Sequence, residues 1–300
     1  MSKREKLWLY AILIIAMGTW GLSWTNGKIL GGFTTVPNLM FWRFLIAMIS
    51  MIPVLIYTGV DWKPSRKALV GILSSSLLLM SYNYFYFTGT KLGSAGAGGV
   101  LVTTLNPVLT FLLVSLVHKT VPRGRSLLGI GLGIFGGTII IDIWSIGWQA
   151  VMVSGNQYFV LCASSWAFLT LISSTIHKQI HILAYSFWLY FFSALISLIF
   201  IDVDTVLIVF SLGSSFWINL LSISVGAMAF ATTAFFVATT KLGSNRASAF
   251  IFTVPLSAML FSVILLHEPL KLNVLMGGLF SILAVYLINT AGQIIPNSRK

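Results

Sequence analysis

The chain has 300 residues, 57% of them hydrophobic and only 8% charged. A soluble domain carries about 25% charged residues, so this composition excludes a water-soluble globular protein and indicates an integral membrane protein. The formal net charge of +12 does not indicate nucleic-acid binding: the basic residues sit singly or in small groups between apolar runs, as loop residues do under the positive-inside rule. The single cysteine, Cys162, lies in an apolar run, forms no internal disulfide and reads as a small buried hydrophobe.

At the N-terminus Lys3, Arg4 and Lys6 precede an apolar run. The run resembles a signal peptide but continues past Trp20 without a small-residue cleavage site, which predicts an uncleaved first helix. Apolar runs of about 20 residues span a bilayer as helices. The sequence predicts ten: 7–29, 37–58, 68–88, 94–117, 126–144, 156–176, 182–201, 215–238, 246–266 and 272–293. The run at 205–212 is too short to span and reads as a loop or interfacial piece. The predicted fold class is therefore all-α integral membrane, and short connections make neighbouring helices antiparallel.

The stretch Thr90-Lys91-Leu92-Gly93-Ser94 recurs as Thr240-Lys241-Leu242-Gly243-Ser244, 150 residues later. Phe85 matches Phe235 and Ala97 matches Ala247 in that register. Trp20 matches Trp166, and Trp42 matches Trp188, at a separation of 146. The expectation is two homologous five-helix halves, 1–148 and 149–300, joined near 145–155. With the N-terminus inside, fourteen lysines and arginines fall on the inner side, and Lys28, Lys91 and Lys271 on the outer; Arg43 lies within helix 2. Both termini are then cytoplasmic, in a multi-pass cell-membrane protein of the bacterial inner membrane type. Five helices is an odd number, so the halves insert with opposite orientation. Such inverted repeats mark many secondary transporters, whose substrate site lies at the repeat interface.

These pieces resemble the drug/metabolite transporter superfamily, specifically its EamA-type members, over almost the whole chain. The resemblance is carried by Trp20-Gly21 with Lys28 eight residues after the Trp, and by Pro37, Arg43-Phe44 and Ala47. The segments Ala95 to Pro107 and Ala247 to Pro255, and Glu268-Pro269, complete it. One departure is His118-Lys119 in the first repeat, where the second has His267-Glu268. The resemblance implies export or exchange of small metabolites by alternating access, with no cofactor. The expected function is a secondary transporter of small polar metabolites, amino acids or related compounds; the alternative is a carrier of phosphorylated or nucleotide-linked metabolites. The expected partners are a small-molecule substrate and the lipid bilayer, with the protein a monomer or homodimer.

Candidate substrate-binding residues are Trp20, Arg43, Tyr82, Asn83, Tyr86, Asn106 and Trp166. An arginine inside a membrane helix costs at least ~2.5 kcal/mol unless solvated or paired, so Arg43 either meets substrate or snorkels outward or caps a neighbouring helix. Tyr82, Asn83 and Tyr86 share one face of helix 3, and Trp20 and Trp166 are repeat mates well inside their helices. Together they read as the lining of a wet central pocket, or as packing. Pro107 and Pro255 read as hinges, since a proline frees a backbone carbonyl and bends the helix. Thr103, Thr104 and Asn106 beside Pro107 re-satisfy the backbone or meet substrate.

Other motifs are decoys. Gly131, Gly133 and Gly136 fit G-x-G-x-x-G but lie in an apolar span with no preceding strand. Gly129, Gly133 and Gly137 are instead spaced for close helix packing. His177 and His181 are four apart, with Lys178 where a zinc-protease helix has Glu, so no metal site is read. The acids are confined to termini, loops and helix ends, which argues against an enzyme and against a buried carboxylate relay for protons. Asp142 and Glu268 are the deepest, both at outer helix ends.

Overall fold

The computed structural model describes residues 2–117, 119, 124–176, 179–242 and 250–290. Among these the secondary structure is all helical. The helices are α1 (Lys3–Leu30), α2 (Val36–Thr58), α3 (Arg66–Leu92), α4 (Ala95–Val117), α5 (Arg125–Ile141), α6 (Ile143–Val153), α7 (Asn156–Ile176) and α8 (Ile182–Ser197). A 3₁₀ turn, Val206–Ser211, follows. Then α9 (Ser214–Leu221) runs through a π-helical segment, Ser222–Ala231, into α10 (Thr232–Leu242). A second 3₁₀ turn, Phe250–Phe252, leads into α11 (Thr253–Leu266), and α12 (Leu272–Thr290) ends the described chain.

Six helical stretches are long and apolar enough to cross a membrane: α1 to α4, α7, and Ser214–Phe235. A seventh candidate is α5 with α6, bent by 74°, and three shorter apolar helices are Ile182–Ser197, Thr253–Leu266 and Leu272–Ile288. Lipid offers no hydrogen bonds, so a spanning chain must satisfy its backbone within the segment, and these apolar runs have only the helix available. At ~1.5 Å per residue, the 28 residues of α1 reach about 42 Å, beyond a hydrocarbon core of about 30 Å.

Local chemistry fixes the ends. Ser2 and Glu5 form a reciprocal capping box at the start of α1. Pro37 sits in the first turn of α2, where its missing N–H is not needed, and Gly59 closes that helix at φ +62°. Ser65 caps α3 by accepting from the Ala68 N–H at 3.1 Å.

Most helix boundaries fall within a few residues of those expected. Two differ for physical reasons. The fifth span ends at Ile141, three residues early, because Asp142 adopts a left-handed φ of +63° and turns the chain. The connection expected near 145–155 is largely helix α6, interrupted at Gly147 with φ +75°. The short run at 205–212 is the 3₁₀ turn Val206–Ser211.

Helix packing is dominated by contacts between the two halves of the chain. The closest partnerships are α5 with α12, α3 with α7, α2 with α8, α1 with α11, α4 with α7 and with α11, and α1 with the π segment. Glycines set the closest approaches. A Cβ on Gly136 would collide with Ser281 Oγ and stand 2.6 Å from the Gly277 carbonyl, and one on Gly129 would stand 2.8 Å from the Ala284 carbonyl. The expected packing set was Gly129, Gly133 and Gly137. The structure instead uses Gly129 and Gly136 against the α12 backbone and Gly133 against Val108 of α4, with the Ala284 Cβ of α12 at 3.4 Å, while Gly137 meets only Leu101, at 3.6 Å. The spacing of four misses by one position because the α5–α12 contact follows i, i+4, i+7. Gly131 faces open space.

Gly136→Ala therefore forces α5 and α12 apart and destabilises the protein by about 1–3 kcal/mol, the usual penalty of overpacking. Gly131→Ala, with nothing within 4 Å, stabilises its helix by roughly 0.5–1 kcal/mol. Unfolding of the purified protein in detergent, followed by heating, ranks the two variants on opposite sides of the wild type.

Candidate functional site

Arg43, on the second turn of α2, is 6% exposed and points into the bundle rather than snorkelling to its end. Its Nη1 donates to Asn83 Oδ1 at 2.8 Å. Its Cζ lies 4.9 Å from the Tyr86 ring centroid and 5.6 Å from that of Phe87. Its Nε has no hydrogen-bond partner, and no carboxylate pairs with it among the described residues. The guanidinium is thus held by one amide and two ring faces, which stabilise a cation without neutralising it.

The helix-3 face expected from the spacing is assembled. Asn83, 1% exposed, is oriented by its own Nδ2 donating to the Leu79 carbonyl at 2.8 Å. Tyr82 and Tyr86 stack at 6.2 Å, and Tyr82 meets Trp166 of α7 at 4.8 Å between centroids. The Tyr86 hydroxyl donates to the Ser23 carbonyl of α1, and Trp24 packs edge-on against the same ring at 5.0 Å. Arg43, Tyr82, Asn83, Tyr86 and Trp166 therefore form one polar-aromatic cluster across α2, α3 and α7. Tyr86 is 1% exposed, so its ring is packed against its neighbours.

Trp20 lies elsewhere. Its Nε1 donates to the Ala227 carbonyl at 2.9 Å, and its ring stands 5.6 Å from that of Phe235. Ala227 belongs to the π segment, and its carbonyl also accepts from Thr232 Oγ1 at 3.3 Å. Tyr190 of α8 likewise reaches the Met228 carbonyl at 3.3 Å, and Asn26 of α1 donates to Ser222 Oγ at 2.8 Å. Sequence reasoning missed this segment, because a π turn carries no distinctive residue pattern.

Asn106 is on α4, and its Oδ1 accepts from Thr110 of the same helix at 3.0 Å. Thr103 and Thr104 turn back onto the carbonyls of Gly99 and Val100 at 2.6 and 2.7 Å, the backbone alternative of the two expected for them. Pro107 lies inside α4, which continues past it. Pro255 lies in the first turn of α11, where a proline removes no helical hydrogen bond. His181 caps α8, its Nδ1 accepting from the Leu183 N–H at 3.3 Å; His177 and Lys178 lie outside the described residues.

At the end of the bundle where α1 stops and α4 starts, Lys28 Nζ meets Glu268 Oε1 at 2.8 Å and the Gly93 carbonyl at 2.8 Å. The Glu268 carboxylate also accepts from Ser94 Oγ at 2.6 Å and from the N–H groups of Ala95 and Gly96 at 2.9 and 3.0 Å. It thereby caps α4 from the loop between α11 and α12. A negative charge at a helix N-terminus complements the dipole and its unpaired N–H groups. Burial by itself pushes the Glu268 carboxyl up; the bonds from Lys28, Ser94, Gly96 and Ala95 outweigh it and hold the group below its ordinary value. The sequence placed Lys28 and Glu268 on one side of the membrane with opposite charges, a signal that was present but did not by itself pair them.

Two outcomes follow. Asn83→Ala leaves a buried guanidinium N–H without its acceptor and lowers stability by about 1–3 kcal/mol. Asn106→Ala, which breaks only a contact within its own helix, has a smaller effect; thermal unfolding in detergent compares the two. Because the Glu268 carboxyl is lowered in the folded protein, its stabilisation is present at neutral pH and is lost as pH falls through that lowered value. The gap in unfolding midpoint between wild type and Glu268→Gln should be widest near neutrality and close in acid below the ordinary carboxylate range.

The profile of the EamA-like transporter family matches this chain twice, over residues 7–141 and 153–290. The chain is 25% identical over 280 residues to the uncharacterized transporter YyaM of Bacillus subtilis, covering 88% of each chain. It is 21% identical over 276 residues to the uncharacterized transporter YoaV of the same organism, covering 89% of this chain and 92% of that one. A solved crystal structure superposes with a TM-score of 0.63 at 17% identity, over 95% of this chain and 96% of the other, which supports the fold alone. With its apolar helices and this match across both halves, the protein is a multi-pass membrane protein that belongs to the EamA-like transporter family.

Proposed function

We propose that the protein is a ten-span secondary transporter that moves small polar metabolites by alternating access, as an exporter of amino acids or related compounds. The six long helices, the bent α5–α6 pair and the three shorter apolar helices supply the ten spans. The halves 1–148 and 149–300 are inverted repeats, both termini face the cytoplasm, and the protein resides in the bacterial inner membrane.

The observation that carries this reading is the exchange symmetry of the packing. Swapping the halves turns α3 against α7 into the α9–α10 span against α1, and α1 against α11 into α7 against α4. The pairs α2–α8, α4–α11 and α5–α12 map onto themselves. The double match of the family profile supports the same division. Two inverted halves that share their contacts can rock about a site between them, exposing it to one side and then the other.

The substrate site is read at Arg43, Tyr82, Asn83, Tyr86 and Trp166, with Trp20 and Asn106 on the flanking helices and Pro107 and Pro255 as hinges. Among the described buried polar residues Arg43 alone bears a charge. One cation suits a single carboxylate better than a phosphorylated group of two negative charges, which favours amino-acid-like solutes over the phosphorylated alternative. Asp142 and Glu268 lie at helix ends rather than mid-span, which supports a facilitator or exchanger over a carboxylate proton relay.

The repeat reading expects Lys91→Cys to react with an impermeant maleimide from outside intact cells, in a Cys162→Ala background, and Lys241→Cys to react only after permeabilisation. Reaction of both from one side overturns the inversion. Counterflow of labelled amino acids in proteoliposomes, weakened by Arg43→Lys, tests the substrate assignment, because an ammonium lacks the planar fork that holds Asn83 and a carboxylate together.

A further inference from the structure

Lys28 and Glu268 line a cleft of ≈450 Å³ at the end of the bundle read above as outer. The cleft is large enough for a solute of amino-acid size. The two partners are unequal. Glu268 is fixed, its side chain 11% exposed and bonded to Ser94 and two backbone N–H groups besides the lysine. Lys28 is the movable arm, 33% exposed on a flexible four-carbon stem, with only Glu268 and the Gly93 carbonyl as partners. Asp142 and Lys271 line the same cleft, and neither side chain is paired among the described residues. The cleft thus holds two acids and two lysines, a balanced set that favours no ion of one sign.

The ion pair also ties three elements together: the end of α1, the start of α4 and the loop between α11 and α12. Separating them leaves two partly buried charges to be satisfied. A cation that takes Glu268 strands Lys28, and an anion that takes Lys28 strips Glu268 of its counter-charge. Leaving one such charge bare is the expensive outcome. A molecule with both charges on a short skeleton gives each residue a new partner.

Resting on the transporter reading above, we propose that this cleft binds a small zwitterion, an ammonium and a carboxylate on one skeleton as in an α-amino acid. Binding there exchanges the Lys28–Glu268 pair for two solute pairs. The ammonium takes the place of Lys28 on Glu268 Oε1, and the carboxylate takes Lys28. The cleft is therefore a second solute site, apart from the Arg43 cluster. Its occupation releases α1 from the α11–α12 loop while Glu268 stays on the α4 N-terminus.

The test is protection of a cysteine in the cleft, Asn273→Cys in the Cys162→Ala background, from an impermeant maleimide. The probes are an equimolar mixture of L-alanine, L-leucine and L-phenylalanine, the matching amines and the matching deaminated acids. The amino-acid mixture should slow labelling about threefold at twice its dissociation constant, and the single-charge mixtures should not. In Glu268→Gln the deaminated acids should protect as well as the amino acids. In Lys28→Gln the amines should do so, which a merely structural pair would not produce; size-exclusion profiles establish that each variant is folded, and either variant alone suffices. Equal protection by all three mixtures, or by none, overturns the proposal. So does protection by phosphatidylethanolamine vesicles without added solute, since a lipid headgroup carries the same two charge signs. Proteoliposome counterflow of the same amino acids separates the levels: transport without protection removes this cleft as a site and leaves the transporter reading intact, whereas absence of both removes the two together.

Discussion

The fold depends on how closely its helices can approach. In a bilayer the hydrophobic effect does not drive one apolar helix onto another, because lipid tails are as apolar as leucine. Association then rests on contact distance, and contact distance rests on small residues. The α5–α12 interface is the clearest case: Gly129 and Gly136 place backbone against backbone where any Cβ would collide. The same device recurs at α4. Gly96 admits Ser262, Gly98 admits the Phe159 ring, and Gly99 admits Ala258 and Trp24. Helix α4 is thereby threaded between α7 and α11 of the other half.

Polar groups occupy the places this packing leaves. In hydrocarbon an unpaired polar group has no water to fall back on, so its location records a constraint. The Arg43 guanidinium is held by an amide and two aromatic faces, with its Nε unpartnered and without a counter-ion among the described residues. In the π segment the carbonyls of Ala227 and Met228 accept from Trp20 and Tyr190. The Arg43 arrangement joins α2 to α3 within the first half, whereas the Trp20–Ala227 bond joins α1 to the π segment of the second half. At the bundle end, Glu268 plays the equivalent part with a full charge, joining a helix N-terminus to a lysine from α1.

These features place chemistry at two depths. The aromatic cluster around Arg43 offers one uncompensated positive charge inside the bundle. The end cleft offers charges of both signs in balance. The zwitterionic solute proposed above carries a carboxylate for the first and both charges for the second.

The membrane class, most helix boundaries and the duplicated Thr-Lys-Leu-Gly-Ser stretch were legible in the sequence, because each is a local or periodic property of the chain. Apolar length alone dictates a helix where water is absent, and side-chain spacing alone puts Tyr82, Asn83 and Tyr86 on one face. What required the tertiary structure were relations between distant residues. The pairing of Lys28 with Glu268, 240 positions away, depends on which helix ends meet. The choice of Gly136 over Gly137 depends on the rotation of α5 against α12. Trp20 meets the π segment rather than the Arg43 cluster, a contact set by how α1 packs against that segment. Periodicity fixes which residues share a helix face, but only packing decides what that face meets.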